Sequence, residues 1–126
     1  MDVDWHGWAA VSDEDFERSF AHRAVRLAQT YEHVYLGLGH ILDVLDDDSK
    51  SLMQERLIKV VNARQPAGAP YAIGDKLCYG SDWSMPKLIG KTRAYISAFY
   101  EIFDHRDLAK CAPGFFKDNA LRFLHS

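Results

Sequence analysis

No apolar run in this chain approaches the roughly 20 residues that a membrane-spanning helix needs, so no membrane partner is expected. Basic charge is also short. With 15 Lys and Arg against 18 Asp and Glu the formal net charge is −3, and the cations are scattered rather than gathered in a stripe, so nucleic acid is not an expected partner either. Cysteine is nearly missing: Cys78 and Cys111 form no CxxC pair and lie in apolar contexts, which predicts buried free thiols rather than a disulfide framework. The chain has no HxH or HExxH pair, no GxSxG elbow around Ser81, no GxGxxG and no Walker-type phosphate loop. Internal repeats and low-complexity tracts are absent as well. The acidic start, Met1-Asp2-Val3-Asp4, is the opposite of a signal peptide's basic one, and a cytoplasmic location is expected.

What is present is the composition of a soluble globular protein, 126 residues that are 48% hydrophobic and 26% charged, enough for one domain spanning 1–126. Aromatic content reaches 13%, with Trp5 and Trp8 bracketing His6-Gly7. Side chains of that size complete a core or an interface.

Periodicity then assigns elements. Ser12 followed by Asp13, Glu14 and Asp15 reads as a capped helix start. Phe16, Phe20, Ala24, Leu27, Ala28 and Tyr31 recur at helical spacing and predict one helix over about 13–31, with Glu17, Arg18, Arg23, Arg26 and Gln29 on a solvated face. His33 to Gly39 is short, β-branched and aromatic, and predicts a buried strand. Asp46-Asp47-Asp48-Ser49 predicts a loop or helix start rather than a metal site, since three adjacent aspartates cannot all point one way. A second helix over about 49–64 carries Met53, Leu57, Val60 and Val61, and Gln65 to Pro70 stops it. Lys76 to Tyr79 is the next strand, followed by a helix over about 86–103, a short piece near 106–110, and a last helix through Phe116, Ala120, Leu121 and Leu124. Helices joined to nearly continuous apolar strands by short loops give an α/β order with parallel pairing.

The sharpest chemical signal is the corner Tyr79-Gly80-Ser81-Asp82-Trp83, where an apolar strand empties into a tight turn before Pro86. In α/β folds the carboxyl ends of parallel strands hold the chemistry. His6, His40 and Asp82 follow three such ends, and together they form a conceivable metal-ligand set. The competing reading makes Asp82 a cap or turn brace and each histidine a hydrogen-bonded structural residue. His22, His33, His105 and His125 carry no assigned role.

In order along the chain, His6-Gly7-Trp8, Val34-Tyr35-Leu36-Gly37-Leu38, Asp75 through Trp83, and Asn119-Ala120-Leu121-Arg122-Phe123-Leu124 resemble the C-terminal part of the amidohydrolase-related family. That family comprises metal-dependent hydrolases and decarboxylases on a (β/α)₈ barrel. The resemblance implies that Asp82 is the aspartate ending the last barrel strand, which binds the metal or handles the proton of its water. His6 matches the histidine of a His-Gly motif that faces the substrate and assists in acid–base chemistry. Asn119 matches an asparagine whose amide ties the last helix to the barrel. It further implies a divalent metal, zinc first, and a carbonyl-type small-molecule substrate. The family's paired histidines on its first strand and the ligand from its fifth have no counterpart here. A catalytic zinc site keeps about three protein ligands, so hydrolysis by the chain alone is not expected.

The expected fold is therefore α/β and helix-rich, a partial (β/α)₈-barrel-like fragment with two or three parallel strands and four or five helices. Two other readings stand beside the hydrolase. One is a non-catalytic remnant that self-associates as a homo-oligomer, burying strand edges with Trp5 and Trp8 between copies. The other is a small-ligand binding module.

Overall fold

Side-chain caps decide where the helices begin in the computed structural model, which describes residues 11–39, 41–80 and 90–125. Ser12 Oγ accepts from the Asp15 amide at 3.2 Å and opens α1 (Asp13–Glu17). Ser19 Oγ then donates to Phe16 O at 2.6 Å and accepts from His22 N at 3.2 Å, closing α1 and opening α2 (Phe20–Thr30). The single helix expected over 13–31 is thus two. A serine that satisfies both helix ends at once makes the break favourable, and the break changes which residues face inward. Ala21, Val25, Ala28 and Gln29 are buried on α2, whereas Phe20, Leu27 and Tyr31 are exposed.

After α2 come β1 (Leu36–Leu38), a 3₁₀ turn (Leu42–Leu45) and α3 (Asp47–Asn62). Asp46 caps α3 by accepting from Ser49 N at 3.0 Å, so the triple-aspartate run is a helix start, with Asp47 and Asp48 at the positive end of the macrodipole. A second 3₁₀ turn (Ile73–Asp75) leads into β2 (Leu77–Tyr79). The chain continues through α4 (Thr92–Phe103), α5 (Arg106–Ala109), a π-helical turn (Gly114–Asp118) and α6 (Asn119–Leu124). The last helix therefore begins with a widened turn. The expected helix start at Pro86 and the first expected strand, near His6, lie outside the described residues.

The two strands pair in parallel, Leu36 with Leu77, Gly37 with Cys78 and Leu38 with Tyr79. Both are shorter than expected. The chain before Leu36 is held in a turn by Val34 N donating to Tyr31 O at 3.3 Å, and Lys76 contributes only its carbonyl, which accepts from Leu36 N at 2.8 Å. A helix-rich α/β fold with parallel strands is what the structure shows, and the described residues form no barrel. No helix among them is long and apolar enough to cross a membrane.

The core lies where α3 and α4 meet the sheet. Tyr95, Phe99, Ile102 and Phe103 recur along α4 at helical spacing and are fully or nearly fully buried. Phe103 stacks on Phe115 with centroids 4.2 Å apart, and Tyr79 meets Phe99 edge-on at 5.8 Å, so aromatic packing joins α4, β2 and the π turn.

Just before β2, buried Lys76 lies over the rings of Tyr35 and Tyr71 at 4.4 and 4.3 Å. Its Nζ donates to Tyr31 O at 3.1 Å and to Glu32 O. A cation thereby meets the carbonyl end of α2, while burial pushes the ammonium below its ordinary pKa.

Candidate functional site

Both strands run toward one mouth. A Cβ built on Gly39 would stand 3.5 Å from Gly80 O, and one on Gly80 3.6 Å from Gly39 Cα, so the backbones leaving β1 and β2 touch. Tyr95, fully buried on α4, places its hydroxyl between them. The oxygen accepts from Ile41 N at 3.3 Å, and its proton is shared between Gly80 O at 3.2 Å and Leu38 O at 3.4 Å. One phenol thus fixes both strand ends and the chain just past residue 40. Sequence reading placed Tyr95 in the core by periodicity alone. The clue that it does more is a hydroxyl inside an otherwise apolar run, which needs a buried partner.

The residues singled out for chemistry, His6, His40 and Asp82, lie outside the described residues, as do Trp5 and Trp8. In sequence His40 directly follows Gly39, and Asp82 is two residues beyond Gly80. Two of the histidines that the structure describes have local work. His22 Nδ1 donates to Glu17 O at 2.9 Å, and His105 Nδ1 accepts from Asp107 N at 3.1 Å to cap α5.

No three His, Cys, Asp or Glu side chains gather into a metal-binding group among the described residues. The described residues therefore do not by themselves furnish a metal cage. Cys78 and Cys111 are free and half-buried, and burial pushes both thiols up, away from the thiolate a nucleophile requires.

Asn119 ties the last helix to β2. Fully buried, its Nδ2 donates to Leu77 O at 2.7 Å and to Gly74 O at 3.0 Å, while Oδ1 accepts from Arg122 Nη2. The amide covers a β2 carbonyl and binds the start of α6 to the sheet. Gly114 makes room, because a Cβ there would stand 2.9 Å from Asn119 Oδ1.

A second concave region opens between α1, α2 and α3, with a volume of about 510 Å³. At its edge Asp13 accepts from Arg56 Nη1 at 2.8 Å and Lys59 Nζ at 3.0 Å. Those bonds, from Lys59 first and Arg56 second, hold the Asp13 carboxyl below its ordinary pKa. Arg56 is only 5% exposed, with Nη2 on Val11 O at 2.7 Å and its guanidinium 4.6 Å from the Phe16 ring centroid. Its Nε has no hydrogen-bond partner. Gln29 also lines this cleft and is buried, where the sequence pattern put it on a solvated face.

No family model matches the chain, and no curated protein or solved structure does either.

Proposed function

We propose that this chain is the C-terminal sector of a metal-dependent hydrolase of the amidohydrolase type, acting on a carbonyl-type small molecule. Asp82 and His6 are its contributions to a site that other residues complete, and the chain alone does not turn over substrate. The observation that carries the reading is the shared mouth. Parallel β1 and β2 end side by side under the Tyr95 hydroxyl, so the segments carrying His40 and Asp82 start from neighbouring points at the carboxyl end of the sheet. The Asn119 tie to β2 supports it, since the resembled family uses its asparagine in the same capacity.

Calorimetric titration of zinc into the intact chain tests this. One equivalent is expected to bind, with binding lost in Asp82→Asn and weakened in His6→Gln. Absence of any zinc binding by the parent, or full binding by Asp82→Asn, overturns the reading.

Self-association is the second reading, and one observation favours it. Phe20 and Leu27 on α2 and Tyr31 at its C-cap are 65%, 52% and 57% exposed. Equilibrium sedimentation at micromolar concentration is expected to show a dimer or larger, and a monomer there rejects it.

A further inference from the structure

The cleft between α1, α2 and α3 is lined by an amide that no hydrogen bond among the described residues uses. Gln29 is 6% exposed and lines the cleft, yet no hydrogen bond to its side chain exists among the described residues; its backbone carbonyl accepts from Tyr71 N at 3.0 Å. The Gln29 side chain is buried as a whole but its amide atoms are not sealed off, so they face the open space of the cleft, where water or a ligand supplies the partner.

The surroundings say what kind of partner. Val25, Val60 and Pro66 give the cleft apolar wall. Arg26 and Arg64 bring two guanidinium groups that form no ion pair among the described residues, and Glu17 is the one carboxylate on the lining beyond Asp13. Asp13 itself shows the chemistry the cleft accepts, because its carboxylate is already gripped by Arg56 and Lys59 at the edge. A volume near 510 Å³ falls within the range of about 300–1,000 Å³ seen for small-molecule sites.

We infer that this cleft binds a small organic carboxylate, its apolar body against Val25 and Val60 and its charged end between the Gln29 amide and the guanidinium groups of Arg26 and Arg64. An amide offers a donor to the carboxylate while planar guanidinium groups match its two oxygens. The site is separate from the strand mouth and does not depend on the hydrolase reading.

Benzoate is the probe, followed by two-dimensional amide NMR on the intact chain, with benzyl alcohol as its neutral counterpart and sodium chloride to match ionic strength. Saturable shifts are expected at α2 and α3 amides and at the Gln29 side-chain amide, with benzyl alcohol at least about tenfold weaker. Gln29→Leu is expected to weaken benzoate about tenfold while melting no lower than the parent, because the amide has no protein partner to lose. Exposed Arg64→Gln is expected to weaken it about threefold with the fold untouched. Equal binding of the alcohol overturns the inference, as do shifts that never saturate, unchanged affinity in both variants, or a lowered melting point for Gln29→Leu.

Discussion

Replacing Asn119 with aspartate changes one NH₂ group for an oxygen, and the structure says what that does at each pH. In the parent, Nδ2 donates to Leu77 O at 2.7 Å, a fully buried bond, and to Gly74 O at 3.0 Å, a partly buried one. Losing both donors forfeits about 1 kcal/mol per bond, and leaving the Leu77 carbonyl unpaired adds about 1–3 kcal/mol. An ionised carboxylate facing two carbonyl oxygens is worse still, and Arg122, being half-exposed, offsets little of it. The expected loss near neutral pH is about 3–5 kcal/mol, a large share of the roughly 5–15 kcal/mol that stabilises a domain. Protonating the introduced carboxyl restores one donor, so its folded-state pKa must lie above the unfolded value of about 3.9. With a raised folded pKa the native state holds the proton more tightly. Stability relative to the parent is then lowest above the folded pKa, rises as pH falls through it, and levels off below about 3.9. Recovery of about 2 kcal/mol corresponds to a shift of about 1.5 units, which places the titration between about pH 4 and 5.5. Urea unfolding of Asn119→Asp and parent at neutral pH and near pH 4 measures this, with Asn119→Ala as a control whose deficit stays flat with pH. A deficit for the aspartate variant that is the same at both pH values, or an alanine variant within about 1 kcal/mol of the parent, refutes the tie between α6 and β2.

The Asp13 network gives an opposite sign. Its carboxyl is held below 3.8, so its contribution is complete above that value and is lost as pH falls through the lowered one; Asp13→Asn is expected to flatten the acid limb of the parent's stability curve, read by urea midpoints across that range. Arg56→Met removes a buried guanidinium whose Nε is already unpartnered and should stay within about 1 kcal/mol of the parent, whereas Asp13→Asn leaves that buried cation without its carboxylate and should cost more; the reverse order of melting points contradicts the reading. Gly74→Ala places a Cβ 2.8 Å from Cys111 Sγ and should cost about 1–3 kcal/mol, most of it recovered in the double variant with Cys111→Ala; additive losses in the double-mutant cycle would contradict direct contact.

Much of this architecture is written in local signals. Ser12 and the acids after it, the aspartates before α3, and the Pro/Gly-rich stop after it each act within a few residues, so they survive whatever the rest of the chain does. The resemblance singled out Asn119 as a tie for the last helix, and in the structure its amide donates to Leu77 O and Gly74 O. Tyr95 and Gln29 were not legible in this way. Both occupy positions whose spacing fits a generic pattern, core for one and solvated face for the other, and what distinguishes them is a single polar atom whose neighbours come from distant segments. For Tyr95 those neighbours are Leu38 and Ile41, more than fifty residues away.

α2 carries the sharpest lesson, because its sequence holds two interleaved apolar sets. Phe20, Ala24, Leu27 and Tyr31 make one stripe and Ala21, Val25 and Ala28 another, each with helical spacing. Burying the larger set would remove more apolar surface, at about 1.5–3 kcal/mol per large side chain, so burial alone favours the face that the structure leaves exposed. Two polar anchors set the rotation instead. Ser19 fixes the first turn through His22 N, and the Lys76 ammonium grips Tyr31 O and Glu32 O at the far end. Held at both ends, α2 turns its small residues to the sheet and its large ones outward. The outward stripe of Phe20, Leu27 and Tyr31 is thus an exposed apolar face kept against its own burial preference, because the polar contacts at the two ends of the helix leave it no other rotation.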